Sequence, residues 1–338
     1  MCKIETANRF EFIDCCKGLG VFLVLILHVH NLVFYCGERN LVTHGMHLFF
    51  MPLFFLASGY VCYKIFTEKI SFKRFFSLKM YALLFPFVFF GGAHSFLLAI
   101  DKQASLNVLT IFLNFMRDNV NEGYWFILVL FVIRYVSYIG SFVVEKWLRG
   151  SFKIKIVLSL MLNFCVGMVL SHYVPSLGKV VFYVPFFILG SLFRVKHLHE
   201  YIIKREFFCG FLLIVSLTIY GFLYVQELKF KPLLWFVMQI IPTVYVFNMI
   251  YMANPSNKIK KFFCSVGTKS LDIYVLHFFV LLGFKPGMLF FLHYDILPLF
   301  AQCTLLVIFA LIILLFTMVI SKMFNSNTLL RVCMGKFV

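Results

Sequence analysis

Asp14, Lys17 and His28 stand in a run, Phe12 to Tyr35, that is otherwise almost wholly apolar (FIDCCKGLGVFLVLILHVHNLVFY). A carboxylate, an ammonium and an imidazole can bind ions, pair with one another and move protons, and hydrocarbon makes each costly to bury. A neutral imidazole is suited to take a proton from a hydroxyl, because its ordinary pKa of about 6.5 lies near working pH. At about 100° per residue, Lys17 and His28 fall about 20° apart on a helix and Asp14 lies about 40° to the other side of His28. The three therefore share an arc of about 60°, while His30 points about 160° away. Along the axis, His28 is about 16 Å beyond Lys17. Each residue also has a plainer explanation. Asp14 and Lys17, at i and i+3, can form a charge-neutral anchor or snorkel to the interface, and His28 can make a bond between helices.

Further candidates lie downstream. Arg134 falls about ten residues from Trp125, near mid-membrane, where a guanidinium needs acceptors or an anion, unless it snorkels. His277 follows Ser270 and Asp272 near the inner end of its span, so it is expected less deep than His28, positioning a donor or bonding across helices. Tyr124 and Trp125 fit an outer aromatic belt or a platform for a sugar ring. Pro52, Pro86, Pro185 and Pro242 interrupt apolar runs and can kink them.

The elements that must position these residues are membrane helices. Of 338 residues, 62% are hydrophobic and only 13% charged, a surface no soluble domain of this size tolerates. Apolar runs predict an all-α, polytopic transmembrane helix bundle of about ten spans: 12–35, 47–66, 80–100, 123–144, 156–173, 180–193, 207–225, 232–252, 270–292 and 297–321. With both termini cytoplasmic, the inner segments hold 21 Lys and Arg and the outer loops 7. That asymmetry accounts for the net charge of +17 as a topology signal and removes the case for a nucleic-acid partner. The ten cysteines lack any C-x-x-C pair and read as small buried hydrophobes. No metal site, internal repeat, removable signal peptide or soluble domain is expected, so residues 1–338 read as one domain. The longest loop, about 101–122, is outer and has the apolar character to cover a site.

The run D14-x-x-K17-G18-L19-G20 followed by His28 resembles the opening helix of the acyltransferase-3 family, in which a basic residue, ten spacers and a His form a signature. Met51, Pro52, Ser58, Gly59 and Tyr60 resemble its Met-Pro-hydrophobic-Ser-Gly-Tyr segment. YWFILVLF from Tyr124 resembles its Trp-Phe segment, and SLDIYVLH from Ser270 its Ser-Leu-x-Ile-Tyr-x-x-His segment. The family often carries two arginines separated by two residues where the third span starts. Here Lys73, Arg74 and Lys79 keep the basic character without that pair, Phe50 stands where many relatives have His, and Asp272 where Gly is frequent.

The resemblance implies a membrane O-acyltransferase that moves an acyl group, commonly acetyl, from cytoplasmic acetyl-CoA to a hydroxyl of a cell-envelope saccharide or its lipid-linked precursor in the bacterial cytoplasmic membrane. His28 is then the catalytic base, supported by Asp14 and Lys17. Lys73, Arg74, Lys79 and Arg134 are candidate contacts for the donor, and Tyr124, Trp125 and His277 for the acceptor. The rival expectation is a transporter or flippase for a small solute or lipid-linked sugar, against which stands the absence of a repeat or of paired broken helices.

Overall fold

The computed structural model describes residues 10–34, 41–69, 71, 81–101, 107–116, 123–148, 150–225, 232–254, 256–283 and 294–336. All regular structure among the described residues is helical: α1 Glu11–His28, α2 Leu41–Met46, α3 Phe50–Val61, α4 Lys64–Thr67, α5 Tyr81–Asp101, α6 Val108–Asn114, α7 Trp125–Val143, α8 Phe152–Ser171, α9 Lys179–Val195, α10 Leu198–Ile203, α11 Glu206–Val225, α12 Pro232–Met252, α13 Lys258–Gly267, α14 Ser270–Leu282, α15 Leu299–Ser326 and α16 Thr328–Cys333. In lipid the helix is the form that satisfies every backbone group within the segment itself.

Eight stretches are long and apolar enough to cross a membrane: Glu11–Val33, Val42–Val61, Ala82–Ile100, Trp125–Leu148, Phe152–Ser171, Pro175–Val195, Leu234–Met252 and Leu299–Ser326. A ninth arises if α13 and α14, bent by 77° at their junction, count as one span. The span expected at 270–292 begins with α14 at Ser270, α13 precedes it across the bend, and residues 284–293 lie outside the described residues. The remaining expected span, 207–225, corresponds to α11, whose apolar part Phe207–Leu223 falls short of that length. Ten apolar runs thus become eight or nine candidate spans among the described residues. Pro52 occupies the first turn of α3, directly after the turn at 47–49, where a missing backbone N–H costs little. Pro86, Pro185 and Pro242 lie inside α5, α9 and α12.

The core gathers around α1, 83% buried along its apolar window, whereas α8 is only 22% buried and presents its sides to lipid. α1 packs on α3, α12, α13, α14 and α15. Without a hydrophobic drive between helices in lipid, small residues permit this closeness. A Cβ on Gly18 would meet the Gly267 nitrogen at 2.9 Å, and one on Gly267 would meet the Gly18 nitrogen at 2.9 Å. Gly59 of α3 and Gly190 of α9 make a second backbone crossing, closed by a hydrogen bond of 2.9 Å from Ser191 Oγ to the Gly59 carbonyl.

The C-terminal segment is tied to the same core. Asp272, 2% exposed, accepts hydrogen bonds from Ser321 Oγ (2.8 Å) and Asn325 Nδ2 (3.0 Å) of α15, and pairs with Lys336 Nζ at 2.6 Å. A short polar side chain here serves as a clamp, which accounts for Asp272 where a glycine is often found.

Candidate functional site

His28 closes α1 at the point where the helix widens into a π turn, Val29–Val33. Such turns re-aim side chains and recur at functional sites. The His28 ring stands 5.1 Å, centroid to centroid, from His277 of α14 and 5.0 Å from Phe278. His30 turns away, as its angle on the helix requires, and its Nδ1 meets the Tyr294 hydroxyl at 3.3 Å. His277 is fully enclosed, 0% exposed. Its Nδ1 lies 3.2 Å from the Ile273 carbonyl, and its Nε2 is buried with no hydrogen-bond partner among the described residues.

The sequence predicts His277 nearer the inner end than His28, and the structure corrects this. The bend before Ser270 starts α14 inside the bundle, because Gly267 is seated on Gly18 rather than at the edge of α1. Ten residues past Gly18 comes His28, and ten past Gly267 comes His277, so the two imidazoles arrive level.

A third histidine was not singled out by the sequence reading. His94 of α5 is 9% exposed, with its ring 5.4 Å from Phe278 and 5.8 Å from Tyr124, and its Nδ1 is buried without a partner among the described residues. The signal was present, since an imidazole inside the apolar run AHSFLLAI is the same anomaly that marked His28.

Tyr124 is 1% exposed and therefore enclosed rather than part of an outer belt. Its hydroxyl donates to the Val275 carbonyl at 3.2 Å, and the Tyr274 hydroxyl donates back to the Gly123 carbonyl at 2.5 Å. This reciprocal pair joins the start of α7 to α14 beside His277. Trp125 keeps a partly open position, stacked at 5.6 Å on Tyr183 with Lys179 Nζ 3.9 Å from its ring centroid.

Toward the other end of α1, Lys17 lies within electrostatic range of Asp14, of Cys62 just beyond α3 and of Arg134 on α7. Both cations are half-buried. The register is consistent on the two helices: Lys17 to His28 is about 16 Å and Tyr124 to Arg134 about 15 Å, running in opposite chain directions. The site therefore has two tiers. Histidines and tyrosines form one, and the pair Lys17 and Arg134 with Asp14 forms the other. Beside the second tier an open cavity of about 650 Å³ is lined by Glu11, Asp14, Lys260, Lys261, Ser265 and Thr268. Lys260 and Lys261, part of the inner charge that the sequence assigns to topology or to an anionic cytosolic ligand, stand on α13 in this cavity wall together with the carboxylates of Glu11 and Asp14. Lys73, Arg74 and Lys79 lie outside the described residues.

The described residues thus form a polytopic helical bundle in which α1 sets His28 against His277 at one level and Lys17 within electrostatic range of Arg134 at the other. The chain belongs to the acyltransferase-3 family, whose acyltransferase domain matches residues 10–323. The match takes in α1 through most of α15 and so covers both tiers. No curated protein and no solved structure matches the chain. It is thus an integral multi-pass membrane protein of an acyltransferase family.

Proposed function

We propose that the chain is an O-acyltransferase that carries acetyl from cytoplasmic acetyl-CoA to a hydroxyl of a cell-envelope saccharide or its lipid-linked precursor. The observation that carries this reading is the two-tier face of α1, with Lys17 near Arg134 at one level and His28 against His277 at the other. An anionic, thioester-bearing arm needs cations along its path and a base at its reacting end.

His28 takes the proton of the acceptor hydroxyl as that oxygen attacks the thioester carbonyl. The new C–O bond forms, the C–S bond breaks, and CoA leaves as a thiolate that is reprotonated. Lys17 and Arg134 contact the anionic donor, with Asp14 limiting their mutual repulsion. Lys73, Arg74 and Lys79 are assigned to the same donor, and the lysines of the cavity beside Asp14 draw its nucleotide end toward α1. Trp125, Tyr124 and His277 belong to the acceptor side, Trp125 as a stacking surface and Tyr124 by holding α14 in place. The protein works in the bacterial cytoplasmic membrane, since donor and acceptor become available on its opposite faces.

The test is reconstitution of the purified full chain in vesicles with labelled acetyl-CoA and envelope glycan, comparing wild type with His28→Ala. Label in the glycan with wild type, and a rate lower by about 10²-fold or more with a folded His28→Ala, is expected. No transfer by wild type, or equal transfer by the variant, overturns the proposal.

A further inference from the structure

We infer that His277 is a positioning residue whose Nε2 accepts a hydrogen bond from the His28 ring and so fixes which His28 nitrogen carries the lone pair. The inference rests on the reading of His28 as the proton acceptor.

A carbonyl oxygen can only accept, so the contact of His277 Nδ1 with the Ile273 carbonyl at 3.2 Å requires the proton on Nδ1. In the neutral ring Nε2 is then an acceptor and nothing else. That atom is buried and has no hydrogen-bond partner among the described residues, which leaves its desolvation uncompensated. A donor is required, and His28 stands nearest among the histidines, 5.1 Å between ring centroids with the planes inclined by 39°. A His28 N–H fills that role. His94 meets the same Phe278 ring at 5.4 Å, whereas His277 meets it at 4.0 Å.

The chemical consequence is specific. A neutral imidazole exists as two tautomers, and one of them presents an N–H rather than a lone pair to the acceptor hydroxyl. Once one His28 nitrogen donates to His277, the other is obliged to be the base. When His28 becomes protonated in the reaction, its N–H toward His277 persists and the positive charge is shared with a neighbour that has a lone pair to offer. In other enzymes a carboxylate holds a catalytic imidazole in this way, and there the orienting group is worth about 10⁴ in rate. A second imidazole does so without placing a further negative charge in the bundle.

Two readouts separate orientation from structural support. In full-length protein labelled with ¹⁵N-histidine and reconstituted in lipid, solid-state nitrogen shifts report tautomers, the His28 signals being assigned by their loss in His28→Gln. His277 is expected as the Nδ1–H form and His28 as a single tautomer. In His277→Phe, His28 is expected as a mixture, and kcat falls about 10²-fold while KM for acetyl-CoA is unchanged. His277→Gln, whose side-chain oxygen still accepts, is expected to stay within about tenfold of wild type. The inference is overturned if His277 lacks the Nδ1 proton, if His28 keeps one tautomer in His277→Phe, or if the Gln variant falls as far as the Phe variant. Should His277→Phe fail to fold, the wild-type tautomers and the Gln variant decide. Should the wild type transfer no label at all, the proposed function fails and the nitrogen shifts still judge the hydrogen bond.

Discussion

Gly267 rests its backbone on Gly18 so closely that a Cβ on either residue would meet the other's nitrogen at 2.9 Å. This one crossing sets the level at which α14 begins, and with it the meeting of His28 and His277. The meeting of the two imidazoles is thus set ten residues away on each chain segment, at the glycine crossing.

Gly267→Val and Gly18→Val are expected to destabilise the protein by about 1–3 kcal/mol or more, because backbone rather than a movable side chain blocks the added atoms. Transfer should fall in both, although neither glycine touches the imidazoles. Gly221→Ala, where nothing lies within 4 Å of the added carbon, is the control and should melt at or slightly above the wild-type temperature. Thermal melting in detergent alongside acetyl transfer reads all three.

Lys17→Met and Arg134→Met should each weaken acetyl-CoA binding, seen as a raised KM with a smaller effect on kcat. Since the two cations are electrostatic neighbours, the double variant should depart from additivity by about 0.5–3 kcal/mol. Titration calorimetry with CoA measures the cycle, and strict additivity would separate the two residues into different sites.

Lys336→Met should lower stability through Asp272, a carboxylate 2% exposed that keeps Ser321 and Asn325 but loses its cation. Breaking a buried pair costs about 3–5 kcal/mol; because the lysine side chain is 39% exposed, the loss should fall below that range. Lys336→Met combined with Asp272→Asn should recover part of it, as judged by melting.

Acid should loosen the junction around His199, which sits on α10 between spans. Burial holds its pKa below the ordinary 6.5, against the opposing effect of its bond to Asn248. The ring is 4% exposed, with Nδ1 donating to Asn248 Oδ1 at 2.7 Å and its face stacked 4.0 Å from Tyr251. A group with a folded pKa below its unfolded value contributes stability that is complete above the unfolded value and is lost as pH falls below about 6.5 toward the folded one. Wild type should therefore lose more melting temperature between pH 7.5 and 5.5 than His199→Phe does.

Much of this was legible in the residues. Eight of the ten apolar runs, or nine if the bent pair α13 and α14 is one span, coincide with candidate spans, because a 20-residue apolar stretch has few alternatives in lipid. The facing of Lys17 and His28 followed from helical angle alone. The elbow before Ser270 was not legible, since Gly267, Thr268 and Lys269 resemble any short loop and only the contact with Gly18 reveals that the turn occurs inside the bundle. For the same reason His277 was expected too shallow. Tyr124 was misjudged because aromatic residues at a span's end usually face the interface, and only the Val275 carbonyl shows this one turned inward. His94 was legible by the same sign as His28, an imidazole within an apolar run.

The hydroxyls of Tyr124 and Tyr274 donate in opposite directions between α14 and the start of α7. Sliding α14 by one residue along its axis, about 1.5 Å, would stretch both bonds together. The pair acts as a bolt against piston motion and leaves tilting as the easier movement. Displacement of α14 against α7 is then expected at the 77° elbow, as a hinge and not a slide.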